Sequence, residues 1–216
     1  MTLVKICGLT NLEDARAALA AGADMLGFNF YQRSPRFIEP SHARKIIGQL
    51  KSELEHSLPM AVGVVVNGGS PEDLLQIVAE SGVDAVQLHG DESSELCKEL
   101  KRIGGDSPFV IKALHVGPDF DPGRFSSYQV DAIMLDALDA KLRGGTGRVI
   151  DWSLARRARE IFPRLFLAGG LSPENVADAV ARVQPFAVDA CSSLESSLGR
   201  KDRERMEAFV RAVRSG

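Results

Sequence analysis

The chain has 216 residues, of which 44% are hydrophobic and 25% are charged, a composition typical of a soluble globular protein. A formal net charge of -3 argues against a nucleic-acid-binding surface, and no uncharged apolar run reaches the roughly 20 residues that span a bilayer. The three cysteines lack metal-ligand spacing and favour a reducing compartment. We therefore expect a cytoplasmic protein with neither a nucleic-acid nor a membrane partner.

Eight short apolar runs are typical of buried β-strands. In chain order they occupy 3–7, 24–30, 60–66, 84–89, 109–113, 131–136, 164–168 and 186–190. Amphipathic stretches predict helices over 11–22, 40–54, 71–82, 91–104, 151–162, 172–183 and 201–215. Between the fifth and sixth strands the chain is only weakly helical in pattern.

The alternation of strands and helices implies parallel βαβ units. Eight such strands in a chain of this length predict an α/β fold, a closed (β/α)8 TIM barrel that forms a single domain over 1–216. The alternative is an open doubly wound sheet, which would usually have a G-x-G-x-x-G loop after its first strand. The first turn reads CGLTN, so the closed barrel is favoured.

Polar side chains share one face of three predicted strands. Residues two apart lie on the same face, and these faces contain Lys5 with Cys7, Gln87 with His89, and Asp136. If the faces point inward, Cys7, His89 and Asp136 meet at the C-terminal mouth of the barrel. The active sites of such barrels lie at that mouth.

Loops rich in glycine or serine follow the last three strands. They read GGTG (144–147), AGGL (168–171) and CSS (191–193). Backbone N–H groups in such loops bind anions, and barrels often bind phosphate after the seventh and eighth strands. The candidate phosphate ligands are Gly145, Gly147, Gly169, Gly170, Ser192 and Ser193. The alternative is that these glycines only make tight turns.

Two residues are candidates for acid–base chemistry. The Cys7 thiol serves as a general base if its neighbours favour the thiolate, and the alternative is a packed thiol. Asp136 serves as a general acid if desolvation raises its pKa, and the alternative is a carboxylate that caps a loop.

Other polar residues of the predicted strands and loops have less specific roles. Arg36, in the loop after the second strand, is placed to bind a carboxylate through two hydrogen bonds, unless it is an ordinary surface arginine. His89 fits a hydrogen-bonded wall residue of the site. Lys5 and Asp189 belong to strands that are neighbours in a closed barrel, which predicts an internal ion pair. Cys97 fits a packing residue within a helix. The spacing of His, Cys and Asp residues gives no zinc site, so we expect no metal.

Several motifs resemble those of the phosphoribosylanthranilate isomerase family, in the same order and from the first strand through the eighth. The matching segments are KICGLT (5–10), GFNF (27–30), SPRFI (34–38), VGVVVN (62–67), VQLHGDE (86–92), IKA (111–113), LDA (135–137), GGTG with DW (144–152), LAGGLSPENV (167–176) and VDACSSLES (188–196).

The resemblance implies a TIM-barrel enzyme that isomerises N-(5-phosphoribosyl)anthranilate to 1-(2-carboxyphenylamino)-1-deoxyribulose 5-phosphate. This Amadori rearrangement is the third step of tryptophan synthesis from chorismate and needs no cofactor. The substrate is a small phosphosugar, and a monomer or a homodimer is expected.

The resemblance also implies roles for individual residues. Asp136 would protonate the ribose ring oxygen, which opens the ring to a Schiff base. Cys7 would then remove the C2 proton, and Gly8 would leave room for the sugar. Arg36 would hold the anthranilate carboxylate. The three loops would hold the phosphate, and His89 and Asp189 would contact the substrate.

The chain departs from the family pattern after the eighth strand. Where the family commonly reads VDVSSGVESSPG, this chain reads VDACSSLESSLG, with Cys191 for serine, Ser193 for glycine and Leu198 for proline. We expect a side chain at 193 to strain a backbone that prefers positive φ and to weaken phosphate binding. Cys191 places a second thiol near the site.

Two other functions remain open at this stage. The same barrel serves phosphosugar epimerases and aldolases, for which Lys112 is the candidate Schiff-base lysine. A barrel that binds a phosphorylated ligand without catalysis is the other alternative, suggested by the altered loop after the eighth strand.

Overall fold

The computed structural model describes residues 1–54, 58–116, 123, 127–137 and 151–216. Eight parallel strands follow one another around a closed barrel. They are β1 (Leu3–Ile6), β2 (Met25–Asn29), β3 (Met60–Val65), β4 (Ala85–Leu88), β5 (Phe109–Val116), β6 (Ala132–Ala137), β7 (Leu165–Leu167) and β8 (Ala187–Ala190). The pairing of β1 with β8, from Leu3 opposite Ala187 to Ile6 opposite Ala190, closes the ring. The barrel prediction is confirmed and the open sheet is excluded.

Seven α-helices lie within the described ranges of the chain. They are α1 (Leu12–Ala21), α2 (Pro40–Glu53), α3 (Pro71–Ser81), α4 (Ser94–Gly104), α5 (Trp152–Ile161), α6 (Val176–Val183) and α7 (Arg203–Ser215). After β8 the chain forms a short 3-10 helix (Ser192–Leu194) and a small antiparallel hairpin, β9 (Glu195–Ser197) with β10 (Arg200–Lys201). Among the described residues, no helix combines the length and the apolarity that a membrane span needs.

The hydrophobic core has two layers that follow the alternation of each strand. Side chains that point inward from the strands fill the barrel interior. They are Met25, Val62, Ala85, Ile111, Ala113, Ala132, Met134, Phe166, Ala168 and Ala187. Outward residues such as Val4, Ile6 and Ile133 pack against the helices. The period-2 prediction is confirmed, because Ala85, Ala132 and Met134 lie on the interior face.

Helices α4 and α6 begin later than their sequence patterns predict. The expected start of α4 was residue 91, but Ser93 caps the helix by accepting a hydrogen bond from the Leu96 N–H at 3.2 Å. The expected start of α6 was residue 172, but the Ser172 N–H donates to the Asn175 side chain at 2.9 Å, which forms a turn before the helix. In both segments, local side-chain hydrogen bonds form where the sequence pattern predicted the first turn of the helix.

Strand β5 continues to Val116, three residues beyond its predicted end. It pairs with β6 from Ile111 opposite Ala132 to Val116 opposite Ala137. Because Ile111 and Ala113 point into the barrel, the alternation directs His115 to the same side, near the mouth. The apolar run that predicted this strand ends at residue 113, so the sequence pattern gave no indication of His115.

Candidate active site

Cys7 lies at the end of β1, where two glycines leave space around it. A Cβ on Gly27 would lie 2.9 Å from the Cys7 Cα, 3.0 Å from its Sγ and 3.1 Å from the Lys5 Nζ. Gly8 has φ +75, and a Cβ there would lie 2.7 Å from Arg36 and 2.8 Å from the Cys191 Sγ. Side chains at these two positions would displace the polar groups that surround the thiol.

A buried ion pair lies beside this thiol. The Lys5 Nζ is 2.9 Å from the Asp189 Oδ1, and the Lys5 side chain is fully buried. Burial alone would lower the pKa of Lys5, but the Asp189 carboxylate outweighs it and the pKa lies above its usual value. Burial raises the pKa of Asp189 to about 6, although Lys5 opposes the shift. The predicted pair is therefore present.

The environment of Cys7 favours its thiolate. A hydrogen bond from the Cys191 thiol lowers the pKa of Cys7 well below its ordinary value, against the opposing effect of burial, and the Lys5 ammonium adds to the lowering. Cys191 shows the opposite shift, since its hydrogen bond to Cys7 and its burial both raise its pKa. The sequence predicted that Cys191 lies near the site, but not that it lowers the pKa of Cys7.

Asp136, His89 and Gln87 form a chain of side chains that joins β6 to the C-terminal end of β4, across the intervening β5. The His89 Nε2 is 3.1 Å from the Asp136 Oδ2, and its Nδ1 is 2.7 Å from the Gln87 Nε2. The structure thus brings the predicted acid and the predicted wall histidine into contact at the mouth. The contact with His89 fixes the orientation of the Asp136 carboxylate.

His89, His115 and Asp136 form a group of potential metal ligands. Their donor atoms all lie within 4.8 Å of one another, and the two imidazole rings are 5.4 Å apart. Sequence spacing did not predict this group, because its members come from three different strands. Extending the alternation of β5 from Ile111 and Ala113 to residue 115 would have found it.

Arg36 lies on the mouth side of the barrel but is held by a carboxylate of this chain. Its Nε and Nη2 are 2.6 and 2.8 Å from the two oxygens of Glu195, and Lys201 Nζ is 3.1 Å from the same carboxylate. Burial alone would raise the pKa of Glu195, but the two cations hold it below its usual value. Glu195 and Lys201 were missed, because only the return of the β9–β10 hairpin brings them to Arg36.

Two of the three predicted phosphate loops lie within the described residues. Gly169 and Gly170 follow β7 with φ +83 and +70, and the serine pair forms the 3-10 helix after β8. The backbone N–H groups of Gly169, Gly170, Ser192 and Ser193 have no acceptor among the described residues. Such groups are available to an anion. Gly145 and Gly147 lie outside the described residues.

The expected strain at Ser193 is absent. Among described non-glycine residues, positive φ occurs at Asn67 and Gln184, whereas Ser193 belongs to the 3-10 helix. Helical turns have negative φ, which any L-residue adopts. The Ser193 Oγ instead donates to the Leu171 carbonyl at 2.5 Å and links the loops after β7 and β8. The prediction of a strained backbone was therefore wrong.

Lys112 does not reach the mouth of the barrel. Its Nζ is 2.8 Å from both the Gly90 carbonyl and the Glu92 carboxylate, and both charged side chains are about 1% exposed. Since Ile111 and Ala113 point inward, Lys112 points toward the helices. This geometry excludes the Schiff-base role considered for it.

Comparisons with known proteins agree along the whole chain. Residues 4–212 match the family described as N-(5'phosphoribosyl)anthranilate (PRA) isomerase. The N-(5'-phosphoribosyl)anthranilate isomerase of Syntrophus aciditrophicus is 43% identical over 214 residues, covering 99% of this chain and 88% of the relative. The Rubrobacter xylanophilus isomerase is 42% identical over 216 residues and covers both chains fully.

Solved structures give the same result. The phosphoribosyl anthranilate isomerase of Thermotoga maritima superposes with a TM-score of 0.88 at 40% identity, with full coverage of both chains. Another isomerase structure, solved with reduced 1-(o-carboxyphenylamino)-1-deoxyribulose 5-phosphate, has a TM-score of 0.84 at 39% identity, again with full coverage of both. With the mouth geometry described above, the chain belongs to the N-(5'-phosphoribosyl)anthranilate isomerase family, whose reaction is a step of tryptophan biosynthesis.

Proposed function

We propose that Cys7 is the general base and Asp136 the general acid of the isomerisation of N-(5'-phosphoribosyl)anthranilate. The single observation that supports this is the position of the Cys7 thiol beside the buried Lys5 ammonium, both about 3 Å from the position of a Cβ on Gly27, which favours the thiolate that a general base needs. The charges of Cys7 and Asp136 both raise the pKa of Asp189, which supports the proposal that the base and the acid face a common space at the mouth.

The proposed reaction has two proton transfers. Asp136 donates a proton to the furanose ring oxygen, the C1–O bond breaks, and the nitrogen lone pair forms a C=N bond. The Cys7 thiolate then takes the C2 proton, the C2–H electrons form the C1=C2 bond of an enolamine, and the π electrons of the C=N bond return to the nitrogen. Tautomerisation of the enolamine to the ketone completes an isomerisation in which no electrons leave the substrate.

Substrate binding is assigned to the remaining mouth residues. The N–H groups of Gly169, Gly170, Ser192 and Ser193, which have no acceptor in the part of the chain that the structure describes, support a phosphate site after β7 and β8. The Nε and Nη2 of Arg36 each donate one hydrogen bond to the Glu195 carboxylate. The guanidinium has five N–H donors in total. We assign its remaining donors to the anthranilate carboxylate, with Glu195 fixing the plane of the guanidinium.

The ionised Asp189 carboxylate is assigned to a sugar hydroxyl. Asp189 is the more exposed partner of the Lys5 ion pair, at 9% against 0% for Lys5. His89 contacts the substrate next to Asp136 in the same proposal.

We also infer the setting in which the enzyme works. The three cysteines are free, which supports the reducing cytoplasm. The net charge of -3 supports a small-molecule substrate with no nucleic-acid partner. One T. maritima structure is described as monomers generated from a dimeric isomerase, and we propose that this chain is active as a monomer or a homodimer.

Two substitutions test the proposed acid and base. Cys7→Ala and Asp136→Asn each remove one proton carrier, so we expect kcat to fall at least ~100-fold, the lower end for acid–base catalysis. The measurement is the loss of fluorescence of freshly prepared phosphoribosylanthranilate under saturating conditions.

Cys97→Ala is the matched control for the thiol. Cys97 is fully buried in α4, and burial raises its pKa to about 11, so its removal affects packing and leaves kcat near the native value. Near-native turnover by the Cys7 or the Asp136 variant would reject the corresponding assignment.

A further inference from the structure

Cys7 and Cys191 lie side by side at the junction of the first and last strands. The β1–β8 register ends with Ile6 opposite Ala190, and the Cys7 N–H donates to the Ala190 carbonyl at 3.0 Å. The two cysteines are the next residues on each strand. Neighbouring strands are about 4.8 Å apart, which lies within the Cα separation of about 4.4 to 6.8 Å found in disulfides.

The side chains of the two cysteines approach each other as well. Cys191 has the largest influence in lowering the pKa of Cys7. The Cys191 Sγ also lies 2.8 Å from the position that a Cβ on Gly8 would occupy, so it packs against the residue that follows Cys7.

We propose that Cys7 and Cys191 form an oxidation site that reacts with peroxides and closes to an intrachain disulfide. The proposal extends the proposed function, because loss of activity on oxidation depends on Cys7 being the general base. Formation of the disulfide itself does not depend on that role.

The neighbouring charged groups give the Cys7 and Cys191 sulfurs different roles in the oxidation. Cys7 is the attacking thiolate, favoured by the Cys191 thiol and the Lys5 ammonium. The Lys201 Nζ lies 3.7 Å from the Cys191 Sγ and 2.9 Å from its carbonyl oxygen. Once Cys7 is oxidised and neutral, its thiolate no longer raises the pKa of Cys191, while Lys201 still favours the Cys191 thiolate.

The reaction proceeds in two balanced steps. The Cys7 thiolate attacks one peroxide oxygen, the O–O bond breaks, and the leaving oxygen is protonated to water or an alcohol, which gives a sulfenic acid. Cys191 then attacks the Cys7 sulfur, the S–S bond forms, the S–O bond breaks and water leaves. Two thiols lose two electrons in total, and the peroxide gains them.

Access and reactivity separate this pair from the third cysteine. Cys7 is 8% exposed and Cys191 is half-buried, both at the mouth through which the substrate enters. Cys97 is fully buried, and its pKa is raised to about 11 by burial. A small peroxide therefore reaches the pair and not Cys97.

The test treats the native enzyme with hydrogen peroxide and maps its peptides by mass spectrometry. We expect the intact mass to fall by about 2 Da, the mass of two hydrogens, with the Cys7 peptide joined to the Cys191 peptide. Activity is lost in parallel and returns with dithiothreitol. Sulfinic acid at Cys7 of the native enzyme without this cross-link, or a cross-link to Cys97, would overturn the proposal.

Two variants sharpen the result. Cys191→Ser removes the second sulfur, so peroxide is expected to give sulfinic acid at Cys7 and a loss that dithiothreitol does not reverse. Cys97→Ser is expected to form the same cross-link as the native chain; failure to do so would overturn the proposed pairing. A native enzyme that stays active with the cross-link fully formed would instead reject Cys7 as the general base and leave the oxidation site in place.

Discussion

The Cys7 thiolate is favoured by its neighbours rather than by its position in an apolar strand. Burial alone disfavours a thiolate, and the Cys191 thiol together with Lys5 reverses that effect. Gly27 is necessary for this arrangement, since a Cβ there would contact both Cys7 and Lys5 at about 3 Å. A stabilised thiolate at Cys7 therefore requires the buried Lys5 ammonium beside it and a glycine at position 27, which places no side chain between them.

The pKa of about 6 for Asp189 predicts a pH dependence of activity. Under the proposed assignment of Asp189 to a sugar hydroxyl, its carboxylate form is required, so kcat/KM is expected to rise as pH increases through about 6 and to fall below it. In Asp189→Asn, this acid limb is expected to disappear, with a lower kcat/KM at neutral pH. The measurement is a pH profile of kcat/KM from pH 5 to 8, at ionic strength held constant. A variant that keeps the native acid limb would contradict the assignment.

The same shift has a consequence for stability. An aspartate in the unfolded chain titrates near ~3.9, below the folded value of about 6. The folded state therefore binds the proton more tightly, and the contribution of Asp189 to stability is present below pH ~4 and is lost as pH rises through about 6. The free energy of unfolding measures this effect independently of activity.

At the scale of elements, the loop after β7 depends on left-handed backbone. Gly170 has φ +70, where an alanine costs ~1–2 kcal/mol and would shift the loop. Gly170→Ala is expected to raise KM about tenfold, the equivalent of ~1.4 kcal/mol, with kcat little changed. Inhibition by inorganic phosphate should weaken in parallel.

Gly82→Ala is the matched control for this loop. Gly82 has a similar φ of +71 but ends α3 just before β4, at the opposite end of the barrel. It is expected to lower stability without changing KM or phosphate inhibition. Equal effects of the two substitutions on KM would contradict a phosphate site after β7.

A buried ion pair fixes the loop after β4 to strand β5. Glu92 accepts hydrogen bonds from the N–H groups of Gly90 and Asn67 at 2.9 and 2.8 Å and contacts Lys112 at 2.8 Å. The pair thus supports the segment that follows His89, on the side of the sheet that faces the helices.

Glu92→Gln is expected to reduce the free energy of unfolding by ~3 kcal/mol, because it leaves Lys112 buried without an opposite charge. Folded enzyme should keep its kcat, since neither residue reaches the mouth. Urea denaturation measures the first effect and the fluorescence assay the second. Glu99→Gln, which disrupts an exposed pair with Arg102, is the control and should leave stability essentially unchanged. Equal stabilities of the two variants would contradict the role of the buried pair.

At the scale of the molecule, closure of the barrel joins the two ends of the chain. Lys5 and Asp189 are 184 residues apart in sequence yet form an ion pair, and Arg36 meets Glu195 across 159 residues. Every side chain of the proposed site comes from one chain.

We accordingly expect the specific activity to be independent of protein concentration. Dilution from micromolar to nanomolar should leave the rate per chain constant, even if a homodimer dissociates over that range. Sedimentation velocity and the fluorescence assay at matched concentrations check this expectation. A rate per chain that falls as the dimer dissociates would show that one subunit contributes to the site of the other.

The number of strands, their inward faces and the positions of Cys7 and Asp136 follow from the sequence, because a period of two and short apolar runs are local properties of a buried parallel strand. The start of α4 and the end of β5 did not follow, since local caps and pairing with β6 decided them. The family motifs indicated the reaction from the sequence alone, without knowledge of any distance between residues.

Only the tertiary structure decided which charges meet at the mouth. Arg36 pairs with Glu195 and Lys201 approaches Cys191 because the hairpin after β8 returns across the barrel rim. His115 reaches His89 because β5 extends beyond its apolar run. These contacts depend on strand register and ring closure, which join segments far apart in the chain and leave no periodic signal in the sequence.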